Sequence, residues 1–229
     1  PLLAAWIPEL EEPALRSLQQ SLAELPDSLP LSETIQQERD MWLAWMRKSA
    51  DQHGIVHVKD YLVRYARRLE AQDGAEADLK AALEAGLTSR DALSAMIVET
   101  ERQYEEAARI ASFPAHEFGP AASRFYGQVA SGNPITRLTL GTFYFGKRPF
   151  VFLRQLENKA DARLAMFRAA IALRLEGRTA FDEVQDPFGD GPFQIEETDG
   201  GYTLTSKLTI EGKPYSMRFG RGAVPEPNE

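Results

Sequence analysis

Apolar residues recur at helical spacing over most of this chain and switch to alternation near its end, and that change of period is the first guide to the fold. Pro13 sits where a helix starts, and Leu15, Leu18, Leu22 and Leu25 follow three or four apart before Pro26 and Pro30. Ser32 is placed to cap a second helix with Ile35, Trp42, Trp45 and Met46 on its apolar side. Asp60 is placed to cap a third, in which Leu62, Tyr65, Ala66 and Leu69 repeat at i, i+3, i+4, i+7. A fourth runs from about Ala75 to Gly86. Thr88 with Asp91 three residues on resembles a capping box, and Leu93, Met96, Ile97, Thr100, Tyr104 and Ala108 then mark one face of a long fifth helix. The stretch from Phe113 to Pro120 reads as a rigid aromatic loop before a short helix near Ala121–Ala130, with turns at 131–134 and 146–149.

From Pro149 to about Glu176 the positions Phe152, Leu156, Ala160, Leu164, Phe167, Ile171 and Leu175 describe one long helix, about 40 Å at 1.5 Å per residue. Gly177 ends it. Alternation follows: Phe193 and Ile195, then Tyr202, Leu204, Leu208 and Ile210, then Tyr215, Met217 and Phe219, with Asp199-Gly-Gly201 and Glu211-Gly-Lys213 as turns. The predicted class is α+β, mainly α. A helical body occupies 1–148, a long helix packs on a three-stranded antiparallel meander over 149–220, and 221–229 reads as a frayed tail. Three short strands bury too little to stand alone, so the meander is expected to dock on the long helix.

Composition agrees with a folded chain, since 43% of the 229 residues are hydrophobic and 26% charged. The absence of cysteine excludes disulfides, thiolate catalysis and zinc sites built on Cys. No run approaches the roughly 18 apolar residues of a membrane-spanning helix, and the abrupt start at Pro1 leaves room for a signal or anchor upstream. A net charge of −8 argues against general affinity for nucleic acid. The charge is uneven, at −8 over 1–133, +6 over 134–180 and −6 over 181–229. The basic segment is either the complement of the acidic one or a patch open to an anionic polymer.

Several patterns invite chemical readings, each set against a plainer one. Gly141-Thr-Phe-Tyr-Phe-Gly146-Lys147 matches the first seven positions of a phosphate-binding loop, but Arg148 stands where Ser or Thr would hold magnesium and three aromatics crowd the backbone. Packing is the preferred reading. His53 and His57 are four apart, yet Gly54 intervenes and no third ligand follows, so no metal is assigned. His116 has no nucleophile motif to serve as base. Asp182, Glu183, Asp186 and Asp190 read as a solvated acidic connection, and Arg64, Arg67 and Arg68 as a solvated helix face. Glu38 and Arg39 fall inside the stripe of Ile35, Trp42 and Met46, which points to a buried structural ion pair.

The segments Arg163–Gly177, Asp186-Pro-Phe-Gly-Asp-Gly-Pro-Phe193 and Gly201-Tyr-Thr-Leu-Thr-Ser206 together resemble the end of bacterial pseudopilin-type proteins, over about 160–220. In that group a helix leads through an Asp-Pro-aromatic-Gly turn into a short meander. Two departures stand out. Major pseudopilins have a single N-terminal helix with a hydrophobic anchor before the meander, whereas about 150 residues precede it here. They also bind calcium in an acidic loop after the second of these strands, where Ser206-Lys-Leu-Thr-Ile210 has no acidic ligand, so no calcium site is carried over.

The resemblance implies a non-enzymatic envelope or periplasmic protein of structural or interaction type, with other envelope proteins or itself as partner and no cofactor. Nothing in the composition separates that location from the cytoplasm. One alternative is a small-molecule-binding protein or enzyme with an aromatic pocket assembled from Trp42, Trp45, Phe143, Tyr144 and Phe145. Another is an anionic-polymer binder using 134–180.

Overall fold

A computed structural model describes residues 2–25, 29–70, 76–131 and 149–221, with side chains of 65–70, 76–80 and the first and last few residues of some elements left aside. The helices are α1 (Leu2–Trp6), a 3-10 turn (Ile7–Glu9), α2 (Glu12–Ala23), α3 (Leu31–His53), α4 (Ile55–Glu70), α5 (Glu76–Gly86), α6 (Arg90–Ala111), α7 (Ala115–Ser131), α8 (Pro149–Glu176) and α9 (Arg178–Glu183). Strands β1 (Gln194–Thr198), β2 (Gly201–Ile210) and β3 (Lys213–Gly220) form an antiparallel sheet in the order β1-β2-β3. The class is the expected one, mainly helical with a small open meander. The expected tail lies outside the described residues beyond Arg221.

Contacts divide the chain into two compact units, 29–154 and a second made of 1–28 with 155–229. The helical unit is therefore an insertion in the chain of the sheet-bearing unit. The periodicity alone groups residues 1–28 with the helices that follow; their apolar side chains explain the different division. Ala4, Ile7 and Leu15 belong to one buried cluster with Met166, Leu204 and Phe219.

Within the sheet-bearing unit, β2 alternates as the pattern predicts, with Tyr202, Leu204, Ser206 and Leu208 buried. Tyr202 lies opposite Phe219 in the register and their rings stack at 5.4 Å. The Phe167 ring of α8 meets Phe219 edge-on at 5.7 Å. The first turn after β1 brings Gly201 against Gly220, where φ is +108° and a Cβ would run into the Gly200 carbonyl, so a side chain is excluded from position 220.

The stripe expected along α8 needs correction. Phe152 and Leu156 are exposed at 52% and 44%, while Ala162, Met166, Ala169, Ala170, Ile171 and Ala172 are buried. Consecutive buried positions mean that this half of the helix is covered on more than one face, and a single stripe cannot describe it. Several arginines here and in α9 are spent locally. Arg163 donates to the Tyr215 hydroxyl and Arg168 to the Leu22 carbonyl, both at 3.2 Å, and Arg178 pairs with Asp182 at 2.9 Å.

In the helical unit α6 follows its predicted face, with Leu93, Ile97, Thr100, Tyr104 and Ala108 buried. Its cap is Ser89, whose hydroxyl accepts from the Ala92 N–H at 3.1 Å, one residue beyond the Thr88 expected. Neither Ser32 nor Asp60 caps a helix. Pro30 precedes α3, with no side-chain cap, and α4 begins at Ile55 because Gly54, at φ +82°, breaks the chain and lets a new helix start at once.

The loop expected from Phe113 to Pro120 is also corrected: α7 is helical from Ala115 and contains Pro120. A proline there forgoes one hydrogen bond near the helix start, whereas Phe118, Ala121, Ala122, Phe125 and Val129 gain burial at helical spacing.

Candidate functional site

Residues singled out in the sequence separate into three places. Trp42 and Trp45 do come together, with ring centroids 4.8 Å apart and planes 9° from parallel. Tyr61 of α4 joins them at 4.3 Å from Trp45, a partner that no pattern in the chain marks. Stacked in this way the two indoles cover one another's faces, which a bound ring would need; the cluster reads as the packing of α3 on α4. Phe143, Tyr144 and Phe145, with the Gly141–Lys147 loop, lie outside the described residues.

Glu38 and Arg39 are both on α3 but do not pair with each other. Arg39 turns to Asp40 at 2.8 Å and to Glu105 of α6 at 3.8 Å. Glu38 is buried, and neither carboxyl oxygen has a hydrogen-bond partner among the described residues. Burial alone pushes its pKa from 4.5 up to about 8.

This has a consequence for stability. In the unfolded chain Glu38 loses its proton near 4.5, while in the folded chain it holds it to about 8. Between those values unfolding releases a proton, so rising pH costs stability, by up to about 1.4 kcal/mol per pH unit. Glu38→Gln is therefore expected to be roughly 2 kcal/mol more stable than the parent at pH 8 and equal to it near pH 5. Urea titrations of both chains at the two pH values measure this. A parallel pH dependence would show that Glu38 is already ionised in the fold.

The histidines remain apart from any ligand set. His53 ends α3 and His57 lies in the first turn of α4, rings 4.9 Å apart and exposed. No group of three or more His, Cys, Asp or Glu able to hold a metal occurs among the described residues. His116 is exposed, 3.5 Å from Glu117. Arg64 donates to the Asp60 carbonyl at 3.3 Å, and the side chains of Arg67 and Arg68 lie outside the described residues.

Asp186 overturns the reading of a solvated connection. It is 3% exposed and accepts from the Phe188 N–H at 3.0 Å, the Ser206 hydroxyl at 2.8 Å and the Lys207 N–H at 2.6 Å. The β2–β3 register shifts between Thr205 and Thr209, and a bulge of that kind leaves N–H groups without ladder partners. Asp186 takes the one on Lys207, and the Ser206 hydroxyl takes that of Leu208 at 3.0 Å. This carboxyl is a structural fastener between the 186–191 loop and β2.

An open groove of about 280 Å³ lies between α6 and α7. From α6 it is lined by Glu106, Arg109, Ile110 and Phe113, and from α7 by Ala121, Arg124, Phe125 and Gln128. Each set has the spacing 0, 3, 4, 7, so two helical faces look at one another. Ile110, Ala121 and Phe125 are buried and form the floor, where the small Ala121 leaves room. Arg109 grips Glu106 with two nitrogens at 2.7 and 2.8 Å and lies 5.0 Å over the Phe113 ring. That guanidinium holds the Glu106 carboxyl below the usual range. Arg154 fixes the corner from behind by donating to the Phe113 carbonyl at 3.2 Å. Arg124 is exposed and makes no ion pair or hydrogen bond with a described residue. The helical spacing of both sets is legible in the sequence, but which two helix faces look at one another is not.

Comparison with protein-family models, with curated proteins and with solved structures finds no match to this chain.

Proposed function

We propose that the chain is a non-enzymatic protein of structural or interaction type that works in the bacterial envelope or periplasm, with other envelope proteins or further copies of itself as partners. The observation that supports this reading is the construction of the last third. Helix α8 leads through the Asp186–Gly191 loop into the meander, and Asp186 fastens that loop to β2. Pseudopilin-type ends have the same order of elements. The inserted unit 29–154 falls outside that resemblance, and on this reading it carries the recognition role.

None of the described helices is long and apolar enough to cross a membrane, so attachment to the envelope would come through a partner or through chain outside the described residues. Cross-linking of a tagged chain in its native cells, followed by fractionation, tests the proposal. Recovery in a membrane-fraction assembly larger than the monomer is expected. Recovery wholly as a cytosolic monomer would overturn it.

The anionic-polymer reading loses ground, because Arg163, Arg168 and Arg178 of the basic segment are engaged within their own unit. A small-molecule reading is favoured by one observation, the α6–α7 groove.

A further inference from the structure

We propose that His53 and His57 together hold one divalent transition-metal ion, of the zinc, nickel or copper class, at the corner between α3 and α4. The inference stands apart from the envelope reading and does not depend on it. Spacing four apart puts two residues on one face only along an unbroken helix, and Gly54 interrupts this one. The interruption brings the rings together all the same. Gly54, at φ +82°, closes α3 by donating its N–H to the Ala50 carbonyl at 3.0 Å, and its own carbonyl accepts from the His57 N–H at 3.2 Å. The two histidine backbones therefore sit on either side of a corner that is fastened in both directions.

The ring geometry matches chelation. The centroids are 4.9 Å apart and the planes 51° from parallel. A metal–nitrogen bond of about 2.0–2.1 Å puts each ring centroid about 3.2 Å from the metal, so two rings at square-planar or tetrahedral angles stand roughly 4.5–5.2 Å apart. Both rings are exposed, and neither makes a hydrogen bond or ion pair with a described residue, so each keeps a nitrogen open for ligation. Asp51, the nearest carboxylate along the chain, is taken by Arg90 at 3.1 Å, and no group of three or more ligating side chains forms among the described residues. Two imidazoles thus hold the ion, and water fills its remaining positions. Imidazole suits zinc, nickel and copper, whereas magnesium and calcium take oxygen ligands. Because it joins the last residue of α3 to the first turn of α4, the metal clamps the corner at Gly54.

The experiment uses the full chain, stripped with a chelator, and titrates it calorimetrically with Zn²⁺, Ni²⁺ and Cu²⁺. One equivalent should bind, Cu²⁺ most tightly. His53→Ala and His57→Ala change exposed residues, so each should melt like the parent, and each should lose about tenfold or more in affinity because a single ligand cannot chelate. His116 is the third and last histidine of the chain, exposed and 3.5 Å from Glu117, and His116→Ala should leave binding unchanged. On addition of Zn²⁺ the ring resonances of His53 and His57 should shift together while those of His116 stay in place. An ion that binds the fold in preference to the unfolded chain should also raise the melting temperature of the parent, and of neither His53→Ala nor His57→Ala. Absence of binding would overturn the proposal. So would binding that survives loss of either His53 or His57, or that His116→Ala weakens as much, because the ion would then be held adventitiously at the surface.

Discussion

A chain lacking residues 1–28 is expected to lose the sheet-bearing unit and to keep the helical unit 29–154 folded. The N-terminal segment is separated from the meander by more than a hundred residues of sequence, yet Ala4, Ile7 and Leu15 are at most 2% exposed and share a cluster with Met166, Leu204 and Phe219. Helix α1 and the 3-10 turn lie against β3. Polar contacts follow the same path. Arg168 donates to the Leu22 carbonyl at 3.2 Å, and Arg221 pairs with Glu9 at 2.8 Å.

Burying a side chain of this size contributes about 1.5–3 kcal/mol, and removing Ile7 and Leu15 also uncovers the partners beneath them. Against a total stability of about 5–15 kcal/mol, that loss leaves a three-stranded meander with α8 and the short α9 unable to persist. The unit 29–154 has its own core, from Ile35, Trp42 and Met46 through Leu93 and Tyr104 to Phe125 and Phe150, and among the described residues none of that cluster comes from 1–28. Limited proteolysis with mass spectrometry reads both outcomes in one experiment. The shortened chain should be cut throughout 155–221 and leave a resistant core within 29–154. Survival of the meander in the shortened chain would make the N-terminal segment an ornament of the fold. Ending the chain at Gly177 should give the same result, because it removes the other side of the same cluster.

The sequence revealed those elements whose apolar residues keep one period against one partner. Helix α6 and strands β2 and β3 are of that kind, since each buries one face. The stripe of Leu15, Leu18 and Leu22 announced a helix, but period says nothing about which distant surface will cover it, and so the N-terminal segment was assigned to the wrong neighbours. In α8 the pattern pointed to Phe152 and Leu156 because large residues dominate the eye, whereas the enclosed half of the helix is packed through Ala162, Ala169, Ala170 and Ala172. Alanine carries almost no periodic signal.

Glu38 was found by its place in an apolar stripe, and its burial is real. Its pairing was misjudged because neighbours on a helix diverge by about 100°, so Arg39 looks toward Glu105 while Glu38 looks into the core. The α6–α7 groove was hidden for a related reason. Its two sets of lining residues have legible helical spacing, but spacing along each helix does not say which two helices will face one another. Asp186 was illegible, since its partners are a hydroxyl and an N–H about twenty residues on, freed by a bulge that no residue pattern marks.

That last residue carries a large expected effect. Asp186→Ala should destabilise the sheet-bearing unit by on the order of 3–5 kcal/mol, because three donors lose their acceptor in a site without ready access to water. The Lys207 N–H has no ladder partner to return to, and the Ser206 hydroxyl also serves the Leu208 N–H. The loop itself depends on the same group. The Asp186 N–H donates to the Gly191 carbonyl at 2.9 Å and the Gly189 N–H to the Asp186 carbonyl at 3.1 Å, so the side chain holds a turn that is already closed by its own backbone. Gly189 lies so near β2 that a Cβ there would stand 2.6 Å from Cγ of Lys207, so the loop packs directly on the strand. Asp186→Asn keeps one acceptor oxygen and turns an amide toward a second donor, so an intermediate loss is expected. Asp190→Ala, on the exposed side of the same loop, should change stability by less than about 0.5 kcal/mol. Chemical denaturation of the three variants, read on a probe in the meander, orders them. If Asp186→Ala melts with Asp190→Ala, the bulge is held by the strands alone and the fastening role of this carboxyl is wrong.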